Sequence, residues 1–218
     1  MNYLQKKKMA MMNSVASGGR LPSEYQEVEW IGNDTSGTAY LNINSYVFKA
    51  DYIKTEIECD FTRNDEQLII AYPFNNSQNR FGLGGKLTIN RVDYFNLAFG
   101  NQSTVVAPRF VSLYDNYFHT WVYENGVFEI QDLNDTVDVS SRTFNDVTNR
   151  TIRLLYGYYG SEVGKIKYFI QKRNGTEILN LVPCYRKSDN EIGMYDLVND
   201  TFYTNAGTGT FTKGADVN

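Results

Sequence analysis

Ile53-Lys54-Thr55-Glu56-Ile57-Glu58-Cys59-Asp60-Phe61 decides the fold class. From Ile53 every second residue is apolar or small, and the residues between them are charged. Period two sends one set of side chains into a core and the other into water, the mark of an antiparallel sheet covered on one side. Two hairpins extend the pattern. Trp121–Glu124 and Val127–Ile130 flank Asn125-Gly126, and Lys165–Lys172 and Glu177–Val182 flank Asn174-Gly175. Asn-Gly suits the two positive φ angles of a type I′ turn. Further short strands are predicted at Gln67–Tyr72, Lys86–Arg91, Tyr94–Phe99, Thr104–Val106, Ile152–Tyr156, Ile192–Asp196 and Thr201–Tyr203. About a dozen such strands with turns between them make an all-β, two-sheet antiparallel β-sandwich. No long segment of period 3.6 interrupts them, so helix is minor.

Composition agrees. The 218 residues are 42% apolar and 15% aromatic, enough for a real core, and flat aromatic side chains favour pleated surfaces. Charge divides the chain. Residues 1–20 carry Lys6, Lys7, Lys8 and Arg20 and no acid, leaving 17 basic against 25 acidic groups beyond them, a net of −8. We read 1–20 as a basic N-terminal arm, with Lys6, Lys7, Lys8, Met9, Met11 and Met12 as its attachment residues and Ser17-Gly18-Gly19 as its hinge, and 21–218 as the sandwich. Its four apolar residues fall short of the roughly 7–15 of a secretory signal. An acidic body lacks the clustered Lys and Arg that nucleic acid demands, and no run nears the roughly 20 apolar residues of a membrane helix. Nucleic acid and membrane insertion are therefore not expected. Cys59 and Cys184 could pair if the fold brings them together, but two buried free thiols are the simpler reading.

Catalytic patterns are sparse. His119 is the single histidine, so an HExxH site is excluded and any Ser-His-Asp triad would have to use a residue that reads as strand packing. Gly82-Leu83-Gly84-Gly85 precedes a strand rather than the helix a phosphate cradle needs, and is read as a turn. Glu56, Glu58 and Asp60 lie at i, i+2, i+4 on one strand face, a spacing that resembles the acidic triplet of sandwich-fold β-glucanases with its Glu and Asp order inverted. A retaining hydrolase needs its carboxyls about 5–5.5 Å apart, whereas i and i+4 on a strand stand about 13 Å apart at Cα. A solvated face of an outer strand is the simpler reading, and no enzyme is expected.

No metal or other cofactor is required. Ca²⁺ is the one ion that the loops Asn33-Asp34-Thr35, Leu133-Asn134-Asp135 and Ser188-Asp189-Asn190-Glu191 could hold through oxygen ligands, although Asn and Asp are also ordinary turn formers. The Asn-x-Thr sequons, that of Asn33 among them, follow from the same composition. Binding is better indicated by loop aromatics. Tyr156-Gly157-Tyr158-Tyr159-Gly160 sets Tyr156, Tyr158 and Tyr159 among glycines, and Tyr114-Asp115-Asn116-Tyr117 forms a second cluster. Sugar rings stack on aromatic faces while neighbouring amides and acids take hydroxyls, so Tyr114, Asn116, Tyr117, Tyr156, Tyr158 and Tyr159 are the candidate ligand residues. Tyrosines that merely plug the ends of a sandwich are the competing account.

Two stretches carry a resemblance. Leu21-Pro22-Ser23-Glu24-Tyr25-Gln26-Glu27-Val28-Glu29-Trp30-Ile31, followed by Gly37–Leu41, is similar to the opening of a concanavalin A-like (laminin G-type) jelly-roll module found in structural proteins of tailed bacteriophages and prophages. Val182-Pro183-Cys184-Tyr185-Arg186-Lys187-Ser188-Asp189-Asn190-Glu191-Ile192-Gly193-Met194-Tyr195-Asp196, continuing to Phe211, resembles the module's ending, and Phe118-His119-Thr120-Trp121 resembles a strand within it. In physical terms, Ile192–Asp196 and Thr201–Tyr203 make a last hairpin about Val198-Asn199-Asp200. Asn205–Gly209 then returns the chain so that its final strand lies beside Val28–Ile31. Arg186, Lys187 and Asp189 are turn residues on this reading.

The resemblance implies a virion-surface protein, assembled in the bacterial cytoplasm, that serves as a fibre, tail-tip or capsid decoration. Its arm would join other virion proteins, and its sandwich would contact host-surface or mucus glycans. A decoration that binds no sugar is the alternative, and a glycoside hydrolase the third. Several copies at a symmetric site are expected, since a single weak site gains most from avidity, and a trimer would be usual for such fibres.

Overall fold

A computed structural model describes residues 20–33, 38–60, 69–71, 80–83, 86–89, 92–100, 102–106, 117–132, 134–138, 151–156 and 163–218. Eighteen strands and no helix occur among them. In chain order the first six are β1 (Tyr25–Glu27), β2 (Ile31–Asn33), β3 (Leu41–Ile43), β4 (Tyr52–Asp60), β5 (Ile69–Ala71) and β6 (Arg80–Leu83). Next come β7 (Lys86–Ile89), β8 (Val92–Gly100), β9 (Gln102–Val106), β10 (His119–Glu124), β11 (Val127–Ile130) and β12 (Asp135–Asp138). The last are β13 (Ile152–Leu154), β14 (Val163–Arg173), β15 (Thr176–Arg186), β16 (Glu191–Asp196), β17 (Thr201–Thr204) and β18 (Phe211–Lys213). Apart from Arg20, the arm lies outside the described residues.

The strands form two antiparallel sheets, giving the expected sandwich. The larger has the order β12-β11-β10-β4-β14-β15-β16-β17 and the smaller β3-β13-β5-β6-β8-β7, with β9 on the other edge of β8. Where β14 and β15 part, β2 pairs with Lys165 and Ile166 and β1 with Cys184–Arg186, so two short N-terminal strands fill the gap. β18 then pairs with β2, Thr212 opposite Gly32, and Val28 bridges to Asp216. The predicted closure of the C-terminal strand on the N-terminal one is therefore present, and it hides edges that would otherwise invite pairing.

Local chemistry accounts for the turns. Both Asn-Gly hairpins have the positive φ pair of a type I′ turn, 50° and 85° at Asn125-Gly126 and 51° and 77° at Asn174-Gly175. In the last hairpin Asp196 is fully buried, and its carboxylate accepts from the backbone N–H groups of Asn180 and Val198 and from the Asn199 amide. In the return loop Asn205 accepts from the N–H of Gly207 and donates to the carbonyl of Gly209. A Cβ at Gly207 would collide with the Thr38 carbonyl oxygen, so the loop can sit against Thr38 and Tyr40 only as glycine.

The sequence reading misses some strands. Gly82-Leu83 is not a turn: it lies in β6, which is hydrogen-bonded to β5 on one edge and β8 on the other, so tertiary pairing overrides the local signal of glycine. The neighbouring residues 84–85 lie outside the described residues. Strands β1, β3 and β12, of three or four residues, are also missed; such pieces are too short to show a period.

Between the sheets lies one core. Ile53, Ile57, Trp121, Tyr123, Phe128, Ile166, Phe169 and Leu181 come from the larger sheet, and Leu41, Ile43, Phe81, Ile152 and Leu154 from the smaller. Phe81 crosses the interface, its ring 5.2 Å edge-on to Tyr123 and 5.9 Å from Phe128. Each such side chain contributes about 1.5–3 kcal/mol on burial. At one end of this core sits a polar knot. Asp51, at 0% exposure, takes Nε and a terminal nitrogen of Arg173 at 2.9 and 3.0 Å, the Gln171 amide at 2.7 Å and the Phe48 N–H at 2.9 Å. Gln171, also buried, accepts from Ser45 and donates to the Tyr46 carbonyl, while Tyr123 Oη donates to the Lys49 carbonyl. Removing one member of a buried charge pair strands the other. Asp51→Ala should therefore cost about 3 kcal/mol, read as a lowered denaturation midpoint with an unchanged slope.

Candidate ligand-binding surface

Alternation places Arg153 on the outer face of the smaller sheet, since Ile152 and Leu154 on either side of it are buried. β13 is paired on both edges, with Arg153 opposite Asn42 on β3 and Ile70 on β5. Tyr40 is two residues before Asn42 and shares its face. The Arg153 guanidinium carbon lies 5.3 Å from the Tyr40 ring centre and 4.6 Å from that of Tyr156. The two rings stand edge to face, 4.9 Å apart and 89° to one another. Exposed Asn42 accepts from Thr151 Oγ1 at 2.5 Å beside them. The result is a half-buried notch of two aromatic rings around a cation, bordered by an amide and a hydroxyl.

Tyr156 reaches the notch through a strained residue. Leu155 has φ 58°, in the left-handed region that a bulky side chain rarely adopts, at a cost of about 1–3 kcal/mol. Two features hold it there. Its side chain is 1% exposed in the core, and its carbonyl accepts from the Asn33 amide nitrogen at 3.2 Å. Asn33 Oδ1 in turn accepts from the Gly164 N–H at 2.9 Å. One buried amide thus joins β2, the end of β13 and the start of β14, and the reversal at Leu155 carries Tyr156 to Arg153.

Of the candidate ligand residues, Tyr156 belongs to this notch. Tyr117 lies before β10 and is 69% exposed. Tyr114, Asn116, Tyr158 and Tyr159 lie outside the described residues, as do the arm residues Lys6, Lys7, Lys8, Met9, Met11 and Met12. Sequence reasoning did not select Tyr40, Asn42, Thr151 or Arg153. Register alone joins them, because β3 and β13 are more than a hundred residues apart.

The other candidates have internal partners. Glu56 and Glu58 are on β4, which is not an outer strand but is flanked by β10 and β14. Glu58, at 8% exposure, pairs with Lys165 at 2.5 Å, and Glu56 with Lys167. The lysine ammonium groups also lie over the rings of Trp30, at 4.9 Å, and Phe118, at 4.1 Å. Lys167 is the extra residue of a β-bulge, which sets it on the same face as Glu56. Asn33 is buried and engaged as above, so its side chain does not face solvent as an ion ligand or glycan acceptor would. Asp189 binds the Arg186 guanidinium and the Glu191 N–H, and Lys187 donates to the Ser23 carbonyl, as turn residues should. Among the described residues no group of three or more His, Cys, Asp or Glu is arranged to hold a metal. Cys184 is buried and free; burial pushes its thiol up to about 12, against a small opposing effect of a backbone hydrogen bond at Tyr195, which keeps it protonated.

His119 has an acidic partner that the sequence did not suggest. Its Nδ1 lies 2.6 Å from Asp132 Oδ2, and Asp132 Oδ1 accepts from the Thr120 N–H at 2.9 Å. Partial burial raises the Asp132 carboxyl, but the bond to His119 and the backbone N–H bonds outweigh it and hold the group below its ordinary value. A depressed carboxylate stabilises the fold above its unfolded pKa, near 4, and that stabilisation fades as pH falls through the folded value. The melting temperature of Asp132→Asn should therefore lie below that of the parent at pH 7, with the gap closing as pH falls below about 4.

No family model matches the chain, and no curated protein matches it.

Proposed function

We propose that the protein is a lectin-like β-sandwich module of a tailed-phage particle, anchored by residues 1–20 to other virion proteins and presenting the Tyr40–Arg153–Tyr156 surface to host or mucus glycans. The glycan reading is carried by one observation: two tyrosine rings and an exposed amide converge on the outer face of a sheet, beside a residue whose backbone is strained to put one ring there. Aromatic faces stack on the apolar faces of sugars while amides and hydroxyls take the ring hydroxyls. The virion setting rests on the resemblance of Leu21–Ile31 and Val182–Phe211 to the phage module. A module that binds without cleaving is the reading preferred to a hydrolase, because two of the three carboxylates a hydrolase would draw on, Glu56 and Glu58 of the triplet with Asp60, are committed to Lys167 and Lys165. Several copies, a trimer in a fibre, would raise weak single-site binding through avidity.

Glycan-array binding by purified protein tests the first half. Tyr40→Ala and Tyr156→Ala should each reduce binding at least tenfold while the melting temperature moves by no more than a few degrees. A blank array from folded parent protein would favour the sugar-free decoration instead. The second half is tested by a chain shortened to begin at Leu21. It should fold and bind as the parent does, yet fail to enter particles; normal incorporation would remove the arm from the attachment role.

A further inference from the structure

We infer that the outer face of the larger sheet, where β1, β15, β16 and β17 lie side by side, is a docking surface for residues 6–12 of this chain. The inference goes beyond the attachment role proposed for the arm, since it names the surface that holds it. It is independent of the glycan reading.

Register builds the surface. Tyr25 stands opposite Arg186, and Tyr195 stands between Val182 and Phe202. These residues face away from the core, because Leu181 and Met194 beside them point into it. The Tyr25 ring lies 4.9 Å from the rings of both Tyr195 and Phe202. A Cβ at Gly193 would meet the Phe202 ring at 2.9 Å, so glycine lets that ring lie down on the sheet. Tyr195 is buried beneath its neighbours, whereas Tyr25 and Phe202 are partly exposed, and Val198 in the adjoining turn is 41% exposed.

Carboxylates rim the rings. Asp200 Oδ1 accepts from Tyr195 Oη at 3.4 Å. Burial holds the Tyr195 hydroxyl above its ordinary value, and the charges of Asp200 and Glu24 add to this, which marks both acids as its neighbours. Glu191 lies opposite Arg186. Glu27 is matched by Arg20, and Asp189 by Arg186, whose guanidinium carbon also lies 5.6 Å from the Phe202 ring centre. Glu24, Glu191 and Asp200 form no ion pair among the described residues. Lys187, the remaining cation here, donates to the Ser23 carbonyl, so the surface stays negative around its rings.

Residues 6–12 are the complement of this surface. Lys6, Lys7 and Lys8 are cations in a stretch without acids, and Met9, Met11 and Met12 follow them. Ammonium groups sit on aromatic faces and pair with carboxylates, while methionine sulfur packs against ring edges. The tether also ends in the right place, because the Arg20 guanidinium is forked onto Glu27, on the same face as Tyr25. Lys8 precedes Arg20 by twelve positions, a reach of at most about 40 Å. From β1 to β17 is three strand spacings, about 15 Å. So short a tether gives a millimolar effective concentration, at which weak contacts suffice. A virion partner that takes the arm must displace this contact or offer an equivalent one, as a second copy does.

Zero-length carbodiimide coupling of the full chain tests the assignment, since it joins an amine to a carboxylate only where the two touch. Peptide mass spectrometry should find Lys6, Lys7 or Lys8 joined to Glu24, Glu191 or Asp200, within one chain or between two. The yield should fall about fivefold or more in about 1 M salt, where the screening length is about 3 Å. Glu24→Gln combined with Asp200→Asn should speed tryptic cleavage after Lys6, Lys7 and Lys8 about fivefold or more, because cleavage follows the undocked population. The melting temperature should move by no more than a few degrees. If the double variant does not fold, the coupling map of the parent carries the test. Coupling to carboxylates elsewhere on the body, or none at all, would overturn the assignment, as would a cleavage rate that the folded double variant leaves unchanged.

Discussion

One primary amide ties the two sheets together at the end where the candidate site lies. Asn33 sits in β2 of the larger sheet, receives the N–H of Gly164 in β14, and donates to Leu155 at the end of β13 in the smaller. The side chain is buried, so these bonds exist in a medium where leaving them unmade would cost about 1–3 kcal/mol per group. Leu155 can hold a left-handed backbone only while such constraints surround it. The notch on the outer face is therefore a consequence of a bond inside the sandwich, and its geometry is inherited from the joint between the layers. The opposite end is organised differently. There Asp51, Gln171 and Arg173 fold the segment from Ser45 to Asp51 onto the core, and charge rather than a neutral amide does the binding.

The two faces of the larger sheet show how charge is managed around β4. Inward, Ile53, Thr55 and Ile57 are buried, and the one hydroxyl among them donates to the Tyr168 carbonyl at 2.7 Å. Outward, Glu56 and Glu58 meet lysines that lie over aromatic rings. Both pairs are part-buried, with each lysine keeping about a third of its side chain in water, which limits what each adds to stability. Their larger effect is on register, because a slip of one residue would bring the acids inward and the isoleucines out.

How far the sequence could be read depended on the range of the interaction. Asn125-Gly126, Asn174-Gly175 and the Val198-Asn199-Asp200 turn were legible because the residues that make a turn are adjacent in the chain. The alternation of β4 was legible because a strand of nine residues repeats its pattern several times. Strands of three residues, such as β1 and β3, show one apolar pair at most, and β6 carries a glycine that locally argues for a turn. The candidate site was half visible for the same reason. Tyr156 stands out in a tyrosine-glycine run, but Arg153 has no local mark, and only the pairing of β13 with β3 brings it to Tyr40 and Asn42. Asp51 and Arg173, 122 positions apart, and His119 with Asp132 across a hairpin had no signal beyond composition.

The closure of β18 on β2 also fixes how the molecule would carry load. Ile31 and Lys213 face each other, so the chain ends leave the sheet from the same end of the same antiparallel pair. Near that exit Gln26 donates to the Val217 carbonyl and Val217 N–H to Glu27. Tension drawn between the two ends meets these bonds one after another, as a zipper opens, whereas tension between the first strand and the outer face of the smaller sheet is shared across whole ladders. If the chain were held by its first residues and pulled through the Tyr40–Arg153–Tyr156 surface, as proposed above, the load would run along the stronger direction and leave the weak seam slack.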